Sequence, residues 1–150
     1  MAPFKEDIII ACEKQLKDKV QSLKAMVLEL SDSANNETKS SAGDKHETGR
    51  AMMQLEQEKL GKQLKEAEEQ LAEFQKMDFM KLHSSIGQGS LIETDKGCFF
   101  IAGSIGKLEP AGKAVFVISP KSPLARAFQG KKQKDTVVFN GVSYTVKTVL

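Results

Sequence analysis

The sequence predicts an α+β protein: an N-terminal antiparallel two-helix coiled coil over residues 1–77, a linker over 78–88, and a twisted antiparallel sheet with one short helix over 89–150. Leu16, Val20, Leu23, Val27 and Leu30 recur at steps of 4, 3, 4 and 3, and Leu60, Leu64, Ala67, Leu71 and Phe74 repeat those steps. That period is the seam of a coiled coil. Folded back antiparallel, Leu30 meets Met53, Leu23 meets Leu60, Leu16 meets Ala67 and Ile9 meets Phe74, in one register, because each pair of numbers sums to 83. After Asp78 the helical period gives way to short runs rich in Val, Ile, Phe and Thr, separated by Gly, Pro and Lys, which is the pattern of strands.

The first helix opens near Pro3, whose fixed φ suits a first turn. Its seam reads Ile9, Cys12, Leu16, Val20, Leu23, Val27, Leu30, with two successive steps of four at Leu16 that relax the supercoil locally. Long isolated helices are marginal in water, so the seam supplies the stability. Over residues 31–43 the apolar period stops and Ser, Asn, Thr and Gly predict a turn. Gly43 suits a left-handed backbone, and Asp44 caps the second helix with Glu47 in its first turn, an acidic variant of a capping box. The second helix runs to about Met77 and carries charge pairs four apart on its outer face, such as Glu58 with Lys62.

Five strands follow, at residues 90–93, 98–102, 114–119, 136–139 and 142–149, with Asn140-Gly141 as a two-residue hairpin turn. Ser122 as N-cap, Pro123 at the first helical position and Gly130 beyond the end frame a short helix at 123–129. A sheet with a helix on one face is an α+β layer.

Hydrophobic residues make up 40% and charged residues 28%, with no Trp, a balance outside the disordered and membrane classes. No apolar run approaches the ~18 residues of a membrane span. The Ile8–Ile10 triplet is too short and too soon followed by charge for a secretory leader. The expected compartment is cytoplasmic. Cys12 and Cys98 share no metal-ligand spacing and read as buried thiols. The formal charge of +2 is too slight for general nucleic-acid affinity. His46 beside Glu47 has no second His or Cys at a helical spacing, and His83 falls in the linker, so zinc is not expected. Gly103-Ser104-Ile105-Gly106 lacks the Lys-Ser/Thr and helix of a phosphate loop and reads as a turn. Arg126, Lys131, Lys132 and Lys134 form a basic run with no interleaved aromatic to stack a base.

The stretch Ile118-Ser119-Pro120-Lys121-Ser122-Pro123-Leu124-Ala125-Arg126-Ala127-Phe128, then Gly130-Lys131 and Asp135, resembles a strand running into Ser-Pro-Ile/Leu-Ala-Arg-Ala and Gly-Lys in the bacterial Gre-type transcript-cleavage factors. Gly89-Ser90 matches that family's Gly-Ser, and Gly43-Asp44-Lys45-His46-Glu47 keeps its Gly-Asp and its Asp-x-x-Glu spacing. The resemblance implies an FKBP-like C-terminal domain that docks on RNA polymerase and a coiled-coil arm that enters the polymerase secondary channel, close to the nascent RNA 3′ end. It implies that Asp44 and Glu47 help hold a magnesium ion shared with the polymerase and its water, and that the corner Lys121, Ser122, Pro123 meets the channel rim. The chain would then be no enzyme itself and have no cofactor of its own, no small-molecule substrate and no membrane partner. Mg²⁺ prefers one or two carboxylates with several retained waters, and a metal pair can activate water and stabilise a leaving oxygen.

Lys45, Thr48, Arg50 and Ala51 stand where the family carries leucine, asparagine, glutamate and tyrosine. These departures imply an alternative: a channel-occupying regulator or inhibitor without cleavage stimulation. A prolyl isomerase, from the FKBP-like fold, and a coiled-coil adaptor are the other readings. Fold likeness alone is a weak warrant for function.

Overall fold

The computed structural model describes the backbone of residues 3–38 and 44–150 and the side chains of residues 4–33 and 48–150. Helix α1 spans Pro3–Thr38 and α2 spans Asp44–Lys76, followed by β1 Leu91–Thr94, β2 Gly97–Ile101, β3 Gly106–Leu108, β4 Val115–Ile118, α3 Pro123–Phe128, β5 Thr136–Phe139 and β6 Val142–Val149. The chain divides into two compact units, one of Leu16–Ala72 and one that combines residues up to Gln15 with Glu73–Leu150. The division between these units falls inside both helices.

In the helical unit Val20, Leu23 and Ala67 are buried, with Leu60, Leu64 and Leu71 packed against them, so the seam predicted from the heptads forms. The predicted turn at 31–43 is corrected over its first part: α1 continues through Thr38. Once nucleated, a helix extends cheaply, and no Gly or Pro interrupts residues 31–38. Residues 39–43, with the expected left-handed Gly43, lie outside the described residues.

In the other unit the buried positions of α1 are Ile8 and Cys12, each fully buried, whereas Ile9 is only half-buried. The buried phase at this end of α1 therefore runs through Ile8 and not through Ile9, the residue expected to face Phe74. Ile8, Cys12, Leu16 and Val20 follow steps of four, each of which turns the stripe by about 40° around the axis.

The sheet order is β3-β4-β2-β1-β6-β5. It is mixed, not wholly antiparallel as expected, because β2 runs parallel to β4, Cys98 opposite Val115 and Ile101 opposite Ile118. The chain leaves β2, lays the unexpected strand β3 at the edge and returns as β4 to fill the gap. The predicted turn at Gly103 precedes that strand. β1 and β2 form a hairpin around Asp95-Lys96, and β5 and β6 a second around Asn140-Gly141, whose φ values of 50° and 77° fit a type I′ turn.

One sheet face forms the core Ile86, Ile92, Phe99, Ile101, Ala125, Phe128, Val137 and Val146 beneath α3. Phe99, Phe128 and Tyr144 pack ring to ring with centroids 5.5–5.7 Å apart. The opposite face is buried as well, through Leu91, Cys98, Phe100, Val115 and Val117. Phe100 continues an aromatic row to Phe79 at 5.6 Å and from Phe79 to Phe74 at 4.9 Å. The start of α1 is tied to the sheet by the Lys5 ammonium, which donates to the Leu150 carbonyl at 3.0 Å, and by Phe4, whose ring lies 5.1 Å from the Lys113 ammonium. Burial on both faces explains why β2 reads as an unbroken apolar run, whereas in β4 Val115 and Val117 are buried and Phe116 on the other face is exposed.

Ser122 caps α3 as predicted: its hydroxyl oxygen accepts from the Ala125 N–H at 3.3 Å and its O–H donates to the Ser119 carbonyl at 2.7 Å. Ser122→Ala is expected to cost about 1 kcal/mol of unfolding free energy in urea titration, and Ser122→Asp, which preserves a capping oxygen, to cost less.

Candidate functional site

The sequence points to two places, one in each unit. The first is the start of α2. Its helical backbone begins at Asp44, so Asp44 and Glu47 both fall in its first turn, three residues apart. That spacing puts two residues on the same side of a helix. Their side chains, and that of His46, lie outside the described residues. The first turn of a helix also presents unsatisfied N–H groups that favour negative charge.

The second is the corner from β4 into α3. Lys121 and Pro123 are exposed and Ser122 is half-buried. The corner is rigidly tied: Lys121 N–H donates to the Ser119 hydroxyl at 3.1 Å, Ser122 N–H to the Ser119 carbonyl at 3.0 Å, and Arg126 N–H to the Ser122 carbonyl at 3.0 Å. Ala125 and Phe128 anchor the helix beneath it. Two exposed side chains are thus presented on a backbone with little freedom, as a docking contact requires.

The linker holds features that sequence reasoning did not find. Glu73, Lys76, residues 77–78 and 81–88 and Gln129 line a mostly polar cavity of about 660 Å³. Ile86 is almost fully buried and locked to the segment after α3, since its N–H donates to the Lys131 carbonyl at 2.8 Å and its carbonyl accepts from Gly130 N–H at 2.9 Å. Gly89, at φ +86°, sits where a Cβ would come 3.6 Å from the Asp78 carbonyl and 3.9 Å from His83 Nε2. Among the described residues, His83 Nε2 is buried without a hydrogen-bond partner.

Burial pushes the His83 imidazole below its ordinary value, and Lys5 and Lys81 push it further, against Asp78. The unfolded chain then takes the proton more readily than the folded one, so the neutral ring's contribution is complete above about 6.5 and shrinks as pH falls. His83→Gln is expected to flatten the loss of stability between pH 7 and 5, roughly the range of an ordinary imidazole titration, as read by urea titration across that range. Burial also pushes the Lys5 ammonium down and the Cys12 thiol up to about 12, so Cys12 stays protonated and unreactive near neutrality. The Cys98 sulfur and the Glu93 carboxylate hold Lys113 above its ordinary value.

No protein-family model matches the chain. A search of curated proteins returns no match either. Among the described residues, no group of three or more His, Cys, Asp and Glu gathers to hold a metal ion, and no helix is long and apolar enough to cross a membrane. The two acids at the start of α2 offer a cation at most a partial ligand set. A magnesium ion held there would need oxygens from another molecule or from water.

Proposed function

We propose that the chain is a Gre-like factor that binds RNA polymerase and brings Asp44 and Glu47 to the polymerase's metal, stimulating cleavage of backtracked RNA. The observation that carries this reading is the start of α2 at Asp44, which sets both acids in the first turn of a helix whose apolar seam is occupied by α1. Two carboxylates complete a magnesium site only with a partner's ligands. The polymerase breaks the bond; the factor supplies negative oxygens that retain the second ion and its water.

The corner Lys121, Ser122, Pro123 supports the docking half of the proposal, being exposed, capped and braced on a buried helix face. The aromatic triad of Phe99, Phe128 and Tyr144 weighs against the isomerase reading, since the rings fill one another's faces rather than walling an open groove.

The test is a pull-down against bacterial RNA polymerase followed by a cleavage assay on stalled elongation complexes. Retention of polymerase with shortened transcripts is the expected result, and Lys121→Glu combined with Pro123→Ala is expected to weaken retention. Absence of stimulated cleavage by the unmutated protein rejects the cleavage role. Slowed nucleotide addition that is indifferent to Asp44→Ala establishes the channel-occupying regulator instead.

A further inference from the structure

The formal charge of +2 conceals a strong asymmetry. Residues 110–150 hold seven basic side chains and one acid, while residues 1–109 hold fifteen basic and nineteen acidic ones. The basic excess of the first group is thus six, set against an acidic excess of four elsewhere.

The fold leaves most of that excess unneutralised. Lys121, Arg126, Lys131, Lys132, Lys134 and Lys147 are all exposed, and among the described residues none of them pairs with a carboxylate. Other lysines of the same unit are paired: Lys96 with Asp95 at 3.2 Å, Lys107 with Glu109 at 3.4 Å, and Lys113 with Glu93 at 3.3 Å. The lone acid of the basic segment, Asp135, turns its carboxylate to the backbone and accepts from Lys132 N–H at 2.8 Å.

The charges are held together by backbone rather than by chance. Asp135 N–H donates to the Lys132 carbonyl at 3.0 Å, closing a tight turn in which Lys134 takes a left-handed φ of 79°. Lys134 N–H donates to the Val146 carbonyl at 2.8 Å, which brings it beside Lys147, and Lys131 N–H donates to the Phe128 carbonyl at 3.0 Å, which brings it under α3 and its Arg126.

We infer that this segment is a binding surface for the phosphate backbone of duplex DNA. Protein–protein contact centres are depleted of lysine and built on aromatic anchors, whereas this surface, apart from the Lys121 corner, is four lysines and an arginine. Single strands are gripped by stacking on several exposed aromatic rings, but Tyr144 and Phe128 are committed to the core triad and Phe116, on β4, is stacked against Phe99 at 5.8 Å. Sequence-independent contact with a duplex needs only clustered cations. The choice of DNA over an RNA duplex rests on the transcription reading, while the charge argument does not.

The test uses the intact protein without polymerase, so its outcome is independent of the cleavage assay. Fluorescence anisotropy measures binding to a labelled DNA duplex, to duplex and single-stranded RNA of equal length, and to polyglutamate as competitor. Affinity for the DNA duplex is expected to fall roughly 10²- to 10³-fold between about 50 and 200 mM salt, as four to six phosphate contacts require. The triple variant Lys131→Gln, Lys132→Gln, Lys134→Gln is expected to flatten the log–log salt slope by about 0.9 per lysine removed. Lys96→Gln with Lys107→Gln, at paired lysines, is expected to leave it unchanged. Absence of salt-dependent duplex binding, an unaltered slope in the triple variant, tighter binding of either RNA, or displacement by polyglutamate would each overturn the inference.

Discussion

Replacing Asp44 and Glu47 together with alanine is expected to reduce stimulated transcript cleavage by about 100-fold or more, with polymerase binding retained. A metal that stabilises attacking and leaving oxygens contributes several kcal/mol to the transition state, and every ~1.4 kcal/mol is tenfold in rate. Alanine at Asp44 also weakens the first turn of α2, which begins there. Asp44→Asn separates the two effects, because asparagine caps a helix about as well as aspartate but carries no charge. Lost cleavage in Asp44→Asn, with unchanged helicity and unchanged retention on polymerase, is the signature of a metal-directed carboxylate. Full cleavage in that variant would mean that Asp44 only caps.

Phe128→Ala should be the most damaging single substitution in the sheet unit, costing about 3–5 kcal/mol in urea titration. Phe128 has no exposed surface and closes the triad with Phe99 and Tyr144 at 5.5 and 5.6 Å. Removing the ring opens a cavity beside Phe99 of β2 and Tyr144 of β6, which the sheet holds on either side of β1 and which cannot close together. The loss should appear as lowered docking at physiological temperature, since Phe128 and Ala125 fasten the helix that carries the Lys121–Pro123 corner. Phe128→Leu, which refills most of the volume, is expected to cost less than half as much.

The strongly periodic parts of the fold were legible from the residues. The heptads predicted the seam because a helical face must repeat near 3.6, and the Asn-Gly dipeptide located the β5–β6 hairpin because both residues tolerate φ above zero. Ser122-Pro123 located the start of α3 for an equally local reason. The run Ile8-Ile9-Ile10 was ambiguous because it offers an apolar residue in every phase; Ile8 is buried while Ile10 is 66% exposed. Strand β3 is three residues, Gly-Lys-Leu, largely exposed, and carries no alternation to read. The parallel pairing of β2 with β4 has no local signature, since a short apolar run looks alike whichever way its strand runs. Ser31–Thr38 was misread because Ser and Asn favour turns only weakly, by a few tenths of a kcal/mol per residue, and an established helix overrides them.

At the candidate site the Ser122 cap followed from spacing alone, while the side chains of Asp44 and Glu47 lie outside the described residues. The buried ammonium of Lys5 on the Leu150 carbonyl and the unpartnered His83 nitrogen did not follow from spacing, because each depends on residues that only the folded chain brings together. The charge asymmetry was present in the residue order yet was hidden by its near-cancellation over the whole chain.

Lys5 and Leu150 stand 145 positions apart, and the unit they join is interrupted by the whole of Leu16–Ala72. On a translating ribosome the two helices of the interrupting segment can zip together as soon as they emerge, through neighbouring contacts that form quickly. The sheet must wait for β6, whose partner β1 lies some fifty residues earlier, and until then Ile8 and Cys12 have no finished interior to enter. Synthesis therefore imposes an order, with the helical insert maturing first and the surrounding unit sealing last. Pauses or truncations near the final strand should leave a chaperone client with an intact helical pair and an exposed apolar amino-terminal stripe.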